Sequence, residues 1–537
     1  MLLCLLLSRA ADWSVAGGTA AAAPTASPCW DVTAFGAVGN GATDDTPAFQ
    51  AAAAAAAPRG GCVRVPPVAH GGGYVLTSTV TLAPGVTLIG TLSGYSPPGW
   101  CYGAPLDSNS TGGSRILARP APATYDTKAG TGAPLIHLTG TGCGVRGLNI
   151  VYDRAPFPTD AELFDPAGPY GYGSFEEARR RFVAEHVPPA GPAIYVTSGV
   201  RVEIADVVGS GWTWLVYFGG GGHGMSHVRR VQGWGFNSLV TLEQAADVMT
   251  FDQLRYTVNS GPYCLGARPA SCDREPPSAR CRGNFTAVPA IVALRPSNAL
   301  LWLGRADGYV ARDLFAFGAH TGVRLGVAPP PAAGASSDGD DPYGGALALR
   351  NPVTGAYAAG AGGAPAPSTG PWGTVSQLLV DQAVFGIHLV WPNPLTNRFV
   401  AAQLHPSFWR KGDVVAGPLE GSGADLGTVG REAGVYVEPT HSVANNKGLL
   451  PTTMLSSMVV ASFSDGGNYG EASASLGGSN GRAFVLLGDG LFDVRGFAMN
   501  NERNGLTHLW ARARGGAAQL RVSSAVLNYS FAEDVLV

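Results

Sequence analysis

Charge is what this chain has least of. Only 14% of its 537 residues are Asp, Glu, Lys or Arg, against roughly a quarter in an average soluble domain. Net formal charge is −3 and no long basic run occurs, so neither nucleic acid nor an anionic membrane surface is an expected partner. Uninterrupted apolar runs of about 18 residues are also missing, which excludes a helical membrane span. No Cys-x-x-Cys pair exists among the eight cysteines. With Cys4 set aside, seven remain, and zinc gives way to a few disulfides with one free thiol.

Glycine and proline are abundant, 76 and 40 residues, and turn-rich all-β structure accounts for both this and the low charge. Residues 1–23 read as a secretion signal, with Leu2 to Leu7 as its apolar core and Ala20 to Ala23 as a cleavage region, although Arg9 follows the core instead of preceding it. Secretion and an extracellular location are therefore expected, and the sequons at Asn109, Asn284 and Asn528 are compatible with them.

The segment from Asp31 to Gly90 is the most informative. Val32 to Phe35 is a short extended piece, followed by glycines at 36, 39 and 41 that supply positive φ angles for a tight reversal. Asp45 or Thr46 caps a helix, Pro47 suits its first turn, and Ala48 to Ala57 is a run rich in the best helix former. Apolar runs follow at Val63 to Val65, Tyr74 to Leu82 and Val86 to Ile89, each bounded by Gly or Pro. Strand, helix, then strands alone is the order expected of a solenoid whose first coil must be covered.

The pattern Phe35-Gly-Ala, Gly39-Asn-Gly41, Asp44-Asp-Thr46, Ala48-Phe-Gln50, then Gly61, Val65-Pro66, Tyr74-Val-Leu76 and Leu88-Ile-Gly90 resembles the N-terminal segment of the pectate-lyase superfamily, rhamnogalacturonase/epimerase type. The resemblance implies an all-β fold, a right-handed parallel β-helix with an N-terminal capping helix. It implies a scaffold and not a reaction, because that superfamily includes hydrolases, lyases, epimerases and phage-type spikes.

Internal repetition points the same way. Val202, Ile204, Val207, Gly209, Gly211 and Leu215 recur 24 residues later as Ser226, Val228, Val231, Gly233, Gly235 and Leu239, and again as Met249, Phe251 and Leu254. Looser copies lie at Val145 to Ile150, Tyr309 to Leu325, Leu378 to Leu389, Val485 to Leu487 and Phe492 to Val494. Each repeat is too small to bury its own apolar face, and stacking supplies the partner. One elongated domain over 30–537 is expected, with irregular insertions near 97–134, 155–192, 260–289 and 328–373. The second holds a helix from Phe175 to His186 with Ser174 and Glu177 as a capping box, and the last is expected to be largely disordered.

The repeat also aligns outward side chains. Glu203 stacks with His227 and Thr250, and Ala205 with Arg229 and Asp252, at about 4.8 Å per coil. Contacts Glu203–His227 and Arg229–Asp252 are expected from this, and such a cluster is either a solvated ion-pair ladder or a catalytic face. Glycoside hydrolysis needs two carboxyl groups about 5 to 9.5 Å apart; Glu203, Asp206, Glu243, Asp252, Asp313 and Asp381 are the candidates in regular coils. Elimination from a uronate needs a base and a cation, Arg229, Arg230 or Arg255, or bound calcium.

Gly222-His223-Gly224 resembles the Gly-His-Gly motif of polygalacturonases, but the companion Asn-Thr-Asp, paired aspartates and Arg-Ile-Lys are missing. His223 stays a candidate for its place beside the cluster. Trp212 and Phe236 are expected inside, and Trp214 and Tyr217 outside as sugar-stacking platforms. The sequence thus suggests a protein acting on an extracellular or cell-wall polysaccharide: hydrolysis slightly ahead of elimination, with Glu203, Asp252, His227, Arg229 and His223 as chemical groups and Trp214, Tyr217 and Arg255 as binding groups. No cofactor is expected beyond calcium in the case of a lyase. The contrasting reading is a carbohydrate-binding wall protein without catalysis.

Overall fold

The computed structural model describes residues 29–69, 72–92, 113–126, 131–153, 158, 160–187, 190–257, 288, 291–292, 295–328, 348–357, 370–381, 383–390, 395–405, 433–438, 450–462, 482–486, 488–501, 509–510 and 518–528. They form a right-handed parallel β-helix. Among the described residues every ladder is parallel except the small hairpin of Tyr125–Asp126 with Thr131–Gly132, and one isolated antiparallel bridge joins Arg350 to Tyr357. No helix among the described residues is long and apolar enough to cross a membrane.

Two stacks of strands build the coils. Stack A includes Gly144–Tyr152, Glu203–Trp212, Ser226–Gly235, Met249–Thr257, Trp372–Asp381, Asn397–His405, Thr452–Ser462, Gly490–Asn501 and Ala518–Asn528. Stack B includes Ile136–Leu138, Ile194–Val196, Val216–Phe218, Ser238–Ala245, Thr321–Leu325, Phe385–Leu389, Ala433–Val437 and Arg482–Leu486. The strand Ala299–Phe317 runs through both.

Stack A is folded along its length. Gly147, Asp206, Arg230, Gln253, Asp313, Gln377, Ala401, Ser457, Gly496 and Ser524 all have φ between +50° and +68°, and the strand registers set them one above another. One left-handed residue per coil turns an otherwise extended strand through a corner, which gives each coil three sides. Non-glycine residues tolerate that region at a cost of about 1 to 2 kcal/mol.

Inside the corner, Ile204, Val228, Phe251, Ala311, Val375, Phe399, Leu455 and Val494 form one continuous buried column. Facing them from stack B are Val216, Val240, Leu301, Val323, Ile387, Val435 and Phe484. Gly233 must be glycine, because a Cβ there would lie 1.7 Å from the Gly209 carbonyl oxygen of the coil before.

The N-terminal helix spans Thr46–Ala56 with Pro47 in its first turn, and it presses Phe49, Ala52, Ala53 and Ala56 onto the end of the core. Its two aspartates divide the labour differently from the expected helix cap. Asp44 accepts from Thr46 N at 3.0 Å and from Thr77 Oγ1 at 2.7 Å. Asp45, buried, accepts from Val38 N at 2.6 Å and Val75 N at 3.1 Å, so it ties the glycine turn to the strand Gly73–Leu76 instead of capping the helix. A disulfide joins Cys29 to Cys62 across the first two coils, and Cys143 is free and buried.

The helix Phe175–His186 is present with the expected box: Ser174 accepts from Glu177 N at 3.2 Å, while Glu177 reaches back to Gly173 N at 3.0 Å. At the C-terminal end the inward pair is Phe484 and Leu486, one residue out of phase with the expected Val485 and Leu487, whereas Phe492 and Val494 point inward as expected. The expectation of disorder over 328–373 fails for residues 348–357, which form a compact turn on the outside of stack B. Residues 1–28, Cys101, Trp391, Trp409 and nearly all of the cysteine-rich 260–289 lie outside the described residues.

Candidate functional site

The expected cluster on stack A keeps its register but not its contacts. Glu203 lies opposite His227, Ala205 opposite Arg229, and one coil on His227 and Arg229 lie opposite Thr250 and Asp252. Glu203 is held by Arg146 and by Arg229, whose Nη2 is 2.7 Å from Oε1. Asp252 pairs with Arg312 at 2.9 Å, so the expected contacts Glu203–His227 and Arg229–Asp252 give way to arginines that reach one coil in the other direction. His227 is exposed. Arg255 pairs with Asp313 at 2.6 Å. At the corner Arg230 binds Asp206 through two nitrogens, and that hydrogen-bonded cation holds the Asp206 carboxyl below its usual range.

Glu203 and Asp252 are two coils and two residues apart, so their Cα atoms are separated by roughly 12 Å. Each is committed to a guanidinium. The face is a ladder of partly solvated ion pairs, each worth roughly 0 to 1 kcal/mol.

His223 is buried in the short strand His223–Gly224, edge-on to Phe218, with Nε2 3.1 Å from Gly219 O. Burial pushes its imidazole down from the ordinary histidine value. Trp212 and Phe236 are inside, as expected. Trp214 is half-buried, and Tyr217 is wholly buried instead of exposed, edge-on to Trp214 at 5.8 Å.

The reason for Tyr217's burial is the outer side of stack B. Strand alternation sends His137, Tyr195, Tyr217, Thr241, Trp302, Arg324, His388 and Tyr436 outward in one row, one per coil. From Tyr195 onward these side chains are nevertheless buried. Tyr195 and Tyr217 stack at 6.0 Å and 22°. Tyr217 donates to Glu243 Oε1 at 2.8 Å, and Glu243 also accepts from Gly220 N. Burial outweighs those bonds and raises the Glu243 carboxyl above its usual range.

Further along the row, the Arg324 guanidinium lies 4.6 Å from the Trp302 ring. Its Nε donates to His388 Nδ1 at 3.3 Å and its Nη2 to Thr321 Oγ1 at 3.0 Å, while Nη1 is buried with no hydrogen-bond partner among the described residues. His388 Nε2 is 2.8 Å from Glu438 Oε1. An arginine nitrogen only donates, so Nδ1 must accept, and Nε2 therefore carries the proton that Glu438 receives. Burial pushes Arg324 down to about 9 against the pull of Glu438. Burial, with Arg324 beside it, holds His388 well below the ordinary histidine value.

A wholly buried cation with an unpaired donor is expensive, and such sites concentrate where a protein does chemistry. The sequence reading missed Arg324, His388 and Glu438. A signal was present: Arg324 and His388 are the middle residues of Val323-x-Leu325 and Ile387-x-Leu389, where inward neighbours fix them as outward. Among the described residues no group of three or more His, Cys, Asp or Glu is placed to hold a metal ion.

Residues 29–98 match the family described as rhamnogalacturonase A/epimerase, pectate lyase-like. No curated protein matches the chain. Among solved structures it is similar to the tailspike protein of E. coli bacteriophage HK620 in complex with a pentasaccharide, with 11% identity, a TM-score of 0.41, and 93% of this chain and 67% of that one covered. It is similar to an exopolygalacturonase from Thermotoga maritima, with 10% identity, a TM-score of 0.38, and coverage of 93% and 92%. It is also similar to the A-module of a mannuronan C-5 epimerase from Azotobacter vinelandii, with 11% identity, a TM-score of 0.33, and coverage of 94% and 100%.

Proposed function

We propose that this parallel β-helix protein, whose first coils are of the pectate-lyase-like type, acts on an acidic polysaccharide laid against the outer face of stack B, and that it cleaves the chain by elimination. The observation that carries this reading is Arg324, buried, stacked on Trp302 and short of one partner at Nη1. A uronate carboxylate that reaches Nη1 supplies that partner. Neutralising the carboxylate makes the adjacent C–H more acidic and stabilises the charge that forms when it is removed. His388 is the base: neutral and oriented by Glu438 through Nε2, it takes the proton beside the carboxylate at Nδ1 once Arg324 Nε turns from it to the uronate, a carbon–carbon double bond forms as the bond to the glycosidic oxygen breaks, and that oxygen takes a proton from water.

Glycoside hydrolysis is a second reading, supported by Glu243. Its raised carboxyl is what a general acid requires. The other carboxylate flanking the row, Glu438, is four coils away, roughly 19 Å, well beyond the separation of hydrolase pairs.

The test is incubation with polygalacturonate, alginate, rhamnogalacturonan and β-1,3-glucan, following reducing ends and the absorbance of unsaturated uronates together. Elimination gives both signals on an acidic polymer and loses both in Arg324→Ala and His388→Ala. Reducing ends without that absorbance, lost in Glu243→Gln, would transfer the assignment to hydrolysis. Cleavage of the neutral glucan alone, or full activity in Arg324→Ala, would overturn the proposal.

A further inference from the structure

One edge of the solenoid, where each coil passes from stack B into stack A, carries side chains that the fold itself does not require. The registers stack Gly60, Gly85, Gly142, Arg201, Met225, Val248 and Gly308 in one column there. Gly60, Gly85 and Gly142 have φ of +66°, +75° and +72°, a left-handed turn that glycine makes without steric cost. Arg201 and Met225 hold the same conformation, at +57° and +49°, against the Cβ penalty that glycine escapes. Residues kept in such a conformation cluster where a particular side chain is used. Both are exposed, and the Arg201 guanidinium has no partner among the described residues.

From Met225 onward the edge is apolar. Met225 and Val248 are 42% exposed and Val310 is 44% exposed, three of the seven large apolar side chains so exposed among the described residues, and they sit on three successive coils. Half-buried Trp372 continues the line. A Cβ on Gly308 would lie 3.2 Å from Val248 Cγ2 and 3.6 Å from Trp372 Cη2, so valine and indole border the same bare position. One coil beyond Thr374 comes Arg398, exposed and also without a partner among the described residues. A free guanidinium therefore ends the stripe on each side, five coils or roughly 24 Å apart. Asp247 borders the stripe with Oδ1 accepting from Val248 N at 2.7 Å, and Asp307 is paired with Arg305 at 2.9 Å.

Clustered apolar side chains left in water mark contact surfaces. Here the handful of side chains falls far short of the roughly 20 to 30 residues a side that a stable protein interface uses. A sugar chain fits better. Pyranose rings present C–H groups on their faces and hydroxyls at their rims, so they bury apolar surface on a narrow stripe without needing a cleft. Unpaired guanidinium groups at the two ends select carboxylates. We propose that this edge is a second, non-catalytic surface that holds a strand of uronate-containing polysaccharide along the solenoid axis. Carboxylates meet Arg201 and Arg398, and sugar faces cross Met225, Val248, Val310 and Trp372. The inference rests on the proposed function only for the class of polymer, and its residues lie apart from Arg324 and His388.

The test is affinity electrophoresis of the full chain through polygalacturonate, with β-1,3-glucan as the neutral polymer and Arg324→Ala as the reference form, which leaves the polymer uncut. The reference is expected to be retarded by polygalacturonate and not by the glucan, and less so in high salt. Arg201→Gly/Met225→Gly is expected to weaken retardation about tenfold while melting no lower than the reference, because glycine is what the same column carries at 60, 85 and 142. Trp372→Ala and Arg398→Ala are expected to weaken it too, whereas Arg312→Ala, whose cation is already paired with Asp252, leaves it unchanged. Full retardation in the glycine variant, no retardation of the reference, or equal retardation in both polymers would overturn the inference. So would a dimer in gel filtration that the glycine variant disperses, which would give the stripe to a second copy of the chain. If wild type cleaves no polymer but the retardation pattern holds, the proposed elimination fails and the binding surface stands.

Discussion

Arginine plays opposite parts on the two outer faces. On stack A, Arg146, Arg229, Arg230, Arg255 and Arg312 each find a carboxylate in partly solvated surroundings, where the energy is small and screened by salt. On stack B, Arg324 is buried against an indole and an imidazole and retains an unused donor. Because its folded value is lowered to about 9, the guanidinium is a cation below that pH and loses its charge above it. Carboxylate capture should therefore weaken as pH rises through about 9, with KM for an acidic polymer climbing roughly tenfold per pH unit beyond it, read from initial rates. Glu438→Gln still accepts from His388 Nε2 and should retain more activity than Glu438→Ala; equal losses in the two would contradict an orienting role.

Within one strand, the inner and outer faces should respond very differently. Phe251 is buried in the continuous column, and Phe251→Ala should cost about 3 to 5 kcal/mol in urea unfolding. Arg312→Ala, which removes the exposed partner of Asp252 one coil away, should leave the urea midpoint nearly unchanged. The N-terminal cap depends on Asp45, whose removal leaves the buried N–H of Val75 unpaired at about 1 to 3 kcal/mol and also releases the N–H of the exposed Val38. Asp45→Ala should lower the melting temperature far more than Asp31→Ala, whose side chain accepts from the exposed Thr33 and meets the exposed Arg64 at 4.0 Å.

At the scale of the molecule, a solenoid is held by contacts between neighbouring coils, and its ends are the weak points. The Cys29–Cys62 bridge closes a loop of sequence separation 33 at one of those ends. By chain entropy such a closure contributes about 3 to 4 kcal/mol. Cys29→Ser should expose the N-terminal coils to protease and leave the middle coils folded, which peptide mapping after brief proteolysis would show.

The fold was legible in the sequence because its signals are local. Alternation within a strand fixes which residues face inward, and a constant spacing of 24 residues carried the register from Ile204 to Val228 without any knowledge of the tertiary structure. The capping box at Ser174 and the alanine-rich helix are likewise written in adjacent residues. The site was not legible in the same way. Tyr217, Thr241, Trp302, Arg324, His388 and Tyr436 follow one another at spacings of 24, 61, 22, 64 and 48 residues, because insertions of unequal length separate the coils on that side. Glu203 and Asp252 stood out because they belong to the evenly spaced coils. What the sequence by itself determined was the parallel β-helix, its cap and the register of the regular stack, all products of short-range periodicity. Tertiary structure alone decided which long side chains meet across coils, that Arg324 is buried beside Trp302 and His388, and that residues 348–357 lie across the row, since each of these depends on side-chain reach and burial between segments far apart in the chain.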